Sequence, residues 1–180
     1  RETLWKDRDP SPVAPLFAAF DGWRRAHIDP ILSAAAAIEY EPSFFPGDFR
    51  LRFTTPGGLR VGIVGLNSAW LQYTGSERDE EFQGALVVAP QQYQAAMGGD
   101  GGRLIDVAGW CDKALLLMHH PLDWLAPKAR VDFQSEIYST TPSARFAACL
   151  HGHHHEGGAT SEAGFGGDPR LHIEAPSLFG

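Results

Sequence analysis

Apolar positions along this chain recur at two different spacings, and the switches between them mark out the elements. From Val13 to Ala37 (VAPLFAAFDGWRRAHIDPILSAAAA) they fall at helical spacing. Pro30 interrupts the pattern, because proline lacks a backbone donor and clashes with the preceding turn, so two short helices or one kinked helix are expected. From Phe49 to Thr54 apolar and polar residues alternate, Pro56-Gly57-Gly58 supplies a turn, and Leu59 to Leu66 (LRVGIVGL) is more continuously apolar. That is the pattern of a β-hairpin leading into a buried strand. Ala85 to Val88 is short and apolar, and Ala89-Pro90 with QQYQAAM predicts a helix carrying Pro in its first turn and ended by Gly98-Gly99. Lys113 to Met118 (KALLLM) is an unbroken apolar run, the pattern of a strand covered on both faces, and it stops at His119. Pro121 to Ser143 reads as helical or irregular. Arg145 to Leu150 (RFAACL) repeats the strand pattern and stops at His151-Gly152-His153, and Leu171 to Ala175 reads as one more strand. Strands separated by helices predict a layered α/β architecture with a mixed or partly parallel sheet and flanking helices.

Composition narrows this picture. With 180 residues, 43% of them hydrophobic, the chain can bury one sizeable core, and its 20 Gly and 13 Pro are spread along it with no linker, so residues 1–180 read as a single domain. A formal charge of -7, with the signs interspersed, excludes the overall basic surface on which non-specific nucleic-acid binding draws, though a local basic groove stays open. Cys111 and Cys149 sit within or beside apolar runs, which is unlike a secreted disulfide scaffold and points to a reducing, cytoplasmic setting. No apolar run approaches the roughly 20 residues that span a bilayer, so no membrane partner is expected. The first residue is Arg1, not Met, so nothing follows about a preceding leader.

The chemistry lies in the histidines. Six of the eight fall in two clusters, His119-His120 and His151, His153, His154 and His155, and each cluster directly follows an apolar strand. Ligands of open α/β sheets collect in the crevice beyond the carboxyl ends of the strands, so two clusters distant in sequence can meet there. Neutral imidazole ligates zinc, iron, manganese and nickel, and Gly152 would let the chain turn sharply enough for His153 and His155 to face one centre. Each other candidate has a plain structural reading beside the functional one. His27 and His172 fit structural histidines in a helix and a strand, Asn67 a turn or cap, and Trp70, Trp110 and Trp124 core residues as readily as platforms for a nucleobase. His151 and His154 fit ring-orienting partners or exposed polar residues. The acidic run Glu77 to Glu81 reads as a solvated loop.

His-His-Pro at 119–121 after one apolar strand, and Gly-His-His-His at 152–155 after another, resemble the calcineurin-like metallophosphoesterase family. VGIVGLNSAW (61–70) resembles that family's central strand and the terminal SLFG its closing strand. The resemblance covers nearly the whole chain but only the carboxyl-terminal half of the family's domain. The Asp-x-His, Gly-Asp-x-x-Asp and Gly-Asn-His-Asp/Glu motifs are absent, and Gly47-Asp48, followed by Phe49-Arg50-Leu51, does not fit the second of them. It implies a metallophosphoesterase-like fold that is incomplete here, beginning just after the Asn-His motif. It also implies that His119 and His153 ligate one metal and His155 the other, with His120 a neighbour of the centre. The cofactors implied are two divalent transition-metal ions, manganese, iron, zinc or nickel, with a metal-bound hydroxide attacking a phosphate ester. The implied substrates are phosphodiesters, with nucleotides or nucleic acid among the possible partners, and the missing half would stand on the same or another chain. Two further readings remain: a catalytically silent module that regulates or binds a partner, and a structural zinc site with a closed tetrahedral shell.

Overall fold

The expected hairpin is present, and it forms part of a larger sheet. The computed structural model describes residues 2–72, 79–98, 106–138, 146–154, 157–162 and 170–176. Its strands are β1 (Ile38–Pro42), β2 (Phe49–Thr54), β3 (Arg60–Gly65), β4 (Lys113–Leu117), β5 (Ala148–His151), β6 (Gly158–Glu162) and β7 (Arg170–Glu174). They make one seven-stranded mixed sheet in the order β1-β2-β3-β4-β5-β7-β6. The centre, β3-β4-β5-β7, is parallel, and β1, β2 and β6 join it antiparallel. The hairpin turn closes through Gly58, whose φ of +85° is open to glycine at little cost.

The helices are α1 (Glu2–Lys6), α2 (Ala18–His27), α3 (Asp29–Ala34), α4 (Pro90–Ala96), α5 (Val107–Trp110) and α6 (Pro127–Asp132), the last continuing as a π-helical turn over Phe133–Tyr138. The apolar segment 13–37 does give two short helices, but the break falls at Ile28, and Pro30 opens the second helix, where its missing N–H costs nothing. Val64, Leu116 and Cys149, side by side in the sheet, pack with Tyr93, Met97, Trp110, Phe133, Ile137 and Tyr138 from the α4, α5 and α6 regions into the main core. Two arginines tie β2 to this layer. Arg50 Nη1 donates to the carbonyls of Ala96 and Gly98 (3.0 and 3.1 Å), Arg52 Nη1 to that of Trp110 (2.7 Å), and both guanidiniums pair with Glu41 and Glu39 on β1. A cation at the end of a helix satisfies carbonyls that have no partner of their own.

The short apolar run Ala85–Val88 lies outside the strands: Leu86 makes a lone bridge to Leu125, its N–H donating to the Trp124 carbonyl, and burial of Leu86 and Val88 in the core accounts for their apolar character. One expectation changes. The run Lys113–Met118 forms a strand over Lys113–Leu117, but its two faces are not equally covered. Ala114 and Leu116 are buried, whereas Leu115 and Leu117 are half-buried. The same holds across the sheet for Leu51, Ile63, Leu150 and Ile173, which lie on the Leu115 and Leu117 face and belong to neither hydrophobic core cluster of the described residues. The main core is built on the opposite face, so this one is less completely covered, although Ala148, in register with Leu115, is buried. Among the described residues no helix is long and apolar enough to cross a membrane.

Gly62 of β3 lies under α5: a Cβ there would come within 2.5 Å of Trp110 and 2.8 Å of the Cys111 sulfur. Gly62→Ala is therefore expected to destabilise the fold by about 1–3 kcal/mol through overpacking. Urea unfolding of the two proteins checks it.

Candidate metal centre

Parallel neighbours release their chains at the same edge of a sheet, and β4 and β5 both release histidines. Leu117 is in register with Leu150. Beyond that pair the ladder continues, with the Met118 N–H donating to the Leu150 carbonyl (3.0 Å) and the Gly152 N–H to the His119 carbonyl (3.0 Å). This pairing brings His119 Nε2 to 3.1 Å from His153 Nδ1. His120 lies beside both, its ring centroid 4.6 Å from each of theirs. One ring nitrogen from each of His119, His120 and His153 lies within 4.8 Å of the others, so the group could hold a metal ion. His155 lies outside the described residues, as does the SLFG segment.

The donor set suits a divalent transition metal, since imidazole must be neutral to ligate. Burial, reinforced by the charges of His119 and His153, depresses the His120 pKa to about 3, so that ring is neutral across the physiological range. Its Nε2 is a buried polar atom without a hydrogen-bond partner among the described residues. No carboxylate of the described residues joins the group.

The chain turns at an unexpected residue. Gly152 was expected to supply the tight geometry, but the left-handed backbone belongs to His153, at φ +84°. A non-glycine residue pays for that conformation through its Cβ, and such strain persists where surrounding structure imposes it. Here the imposing structure is Trp124 and His154. The Trp124 ring lies 4.0 Å from the His153 ring, and its indole N–H donates to His154 Nε2 (3.0 Å). In a neutral ring that leaves the hydrogen on Nδ1, which stands 3.0 Å from a Glu174 carboxylate oxygen on β7. His154 is thus bonded to Trp124 on one side and stands within ion-pair distance of Glu174 on the other.

A second support comes from the end of β3. Asn67 has the turn role: its Oδ1 accepts from the Ala69 N–H and its Nδ2 donates to the Pro46 carbonyl, both at 2.9 Å. The next residue, Ser68, is fully buried and accepts the backbone N–H groups of both His119 and His120. Behind them lies Asp48, buried, accepting from the Asn67 N–H (2.6 Å) and from Gln92 Nε2. Burial raises its pKa well above the usual 3.8, and these hydrogen bonds only partly oppose that. Trp70, Trp110 and Trp124 are all buried and offer no platform for a base. His172 is buried against Tyr138, whereas His27 is exposed at the end of α2.

Comparison with protein-family models, with curated proteins and with solved structures finds no match to this chain.

A carboxyl group with a raised folded pKa holds its proton more tightly in the fold. Folding therefore loses stability as pH climbs from 3.8 through the folded value, and holds level beyond it. Asp48→Asn, which cannot ionise, should lack that loss, so the variant gains on the wild type as pH rises; denaturant unfolding at several pH values measures the gap. At position 153, His→Gly should fold more stably than His→Ala by about 1 kcal/mol, because glycine adopts positive φ freely. Both should lose metal, which calorimetric titration reads beside the melting temperature.

Proposed function

We propose that these residues supply the histidine part of a metal-dependent phosphoesterase, with phosphodiesters, among them nucleotides or nucleic acids, as the favoured substrate class. The observation that carries this reading is the meeting of His119 and His153, at 3.1 Å, from the carboxyl ends of two parallel strands. His119 and His120 of His-His-Pro and His153 of Gly-His-His-His, from the two motifs that resemble the metallophosphoesterase family, come together at one centre. Bound divalent ions would supply a Lewis acid and lower the pKa of a water. In this reading His119 and His153 hold one ion and His155 the other, of manganese, iron, zinc or nickel. The carboxylate that joins such a pair comes from a further segment, on the same polypeptide or another chain. The less completely covered apolar face of the sheet fits a domain of the metallophosphoesterase type whose layering that segment completes.

One observation favours a second reading, a catalytically silent module that binds metal or a partner. The centre has imidazoles alone among the described residues, and a two-metal hydrolase ordinarily clamps its ions with carboxylate as well.

Hydrolysis of a chromogenic phosphodiester by the longest natural form of the protein, with manganese and then with chelator, separates the two. The phosphoesterase reading expects chelator-sensitive turnover and a loss of metal affinity of at least about 100-fold in His119→Ala and His153→Ala, above the range seen for residues that merely orient a ligand. Tight metal binding without turnover would establish the silent module, and turnover indifferent to both substitutions would overturn the site.

A further inference from the structure

Among the three clustered rings, His120 is the one whose hydrogen can be placed, because the serine beside it has its bonding settled. Ser68 Oγ accepts the backbone N–H of His119 at 3.2 Å and that of His120 at 3.0 Å. A hydroxyl offers two lone pairs and one hydrogen. With both lone pairs engaged, only the hydrogen is left for the 2.9 Å contact with His120 Nδ1, so Ser68 donates and Nδ1 accepts. A neutral imidazole with a bare Nδ1 has its hydrogen on Nε2. That nitrogen is buried, and nothing among the described residues pairs with it. An unpaired buried N–H is costly, and it lies in a ring 4.6 Å from the rings of both His119 and His153.

We infer that Ser68 fixes His120 as a hydrogen-bond donor to the centre in place of a third metal ligand, and that the acceptor is an oxygen held there, of water or of a substrate phosphoryl group. A nitrogen that bears hydrogen has no lone pair for a metal. Ligation through Nε2 would require the hydrogen to move to Nδ1, and Ser68 would then have to release one of the two backbone N–H groups it accepts. Ser68 is thereby a positioning residue, acting through the tautomer of His120. The identity of the acceptor rests on the metal-dependent reading above; the tautomer does not.

Nitrogen-15 NMR of the ring nitrogens, recorded on metal-free protein, tests the tautomer directly. His120 should show a bare Nδ1 and a protonated Nε2, unchanged in Ser68→Thr, which keeps the hydroxyl, and no longer held to one tautomer in Ser68→Ala. Zinc titration tests the role. His120→Gln, which places an amide N–H near the Nε2 position, should keep zinc affinity within about tenfold, while His119→Gln loses about 100-fold or more. Hydrogen on Nδ1 in the wild type, or a loss in His120→Gln as large as in His119→Gln, would overturn the inference. Should the wild type bind no zinc, the metal reading fails together with the acceptor named here, and the spectrum alone decides the tautomer.

Discussion

Everything at the candidate centre depends on one pairing, the parallel ladder of β4 with β5. That ladder sets Leu117 beside Leu150, and the two bonds beyond it, from Met118 to Leu150 and from Gly152 to His119, carry the register out of the sheet and into the loops. A slip of one residue would turn every side chain of β5 to the opposite face and part His153 from His119. The core enforces the register, because Leu116 and Cys149 are both buried and in register on the helix-covered face. The site is thus fixed by packing on the far side of the strands that bear it.

What the loops add is restraint. Four imidazoles within a short reach of one another would sample many arrangements if each were held only by its backbone. Ser68 holds the 119–120 segment through two backbone bonds, Trp124 packs on His153, and His154 spans Trp124 and Glu174. The backbone strain at His153 is carried by that scaffold. Precise placement of ligand rings ordinarily needs such outer partners.

Much of this was legible in the sequence, and the failures have physical causes. KALLLM and RFAACL announced their strands because each is an apolar run ending directly at histidine, so both the elements and the position of the site beyond them could be read. β1 (IEYEP) and β6 (GATSE) gave no such signal, since edge strands draw their pairing from one neighbour and carry polar residues that discourage further pairing. Ala85–Val88 shows that an apolar run alone does not mark a strand, because burial in a loop and burial in a strand select the same residues. Ser68 and Glu174 were beyond reach for another reason: their importance lies in which backbone and ring atoms they meet across the fold, and nothing local marks it. Gly152 drew attention as the flexible residue, yet the strained conformation fell to the histidine after it.

The uneven covering of the sheet bears on how the molecule responds to temperature. The heat-capacity change of unfolding scales with the apolar surface newly exposed to water. Leucine and isoleucine side chains that are already partly wetted in the folded protein contribute less to it than fully buried ones. The free-energy curve is to that extent flatter than it would be with the face fully covered, and any layer that came to lie over that face would deepen its curvature.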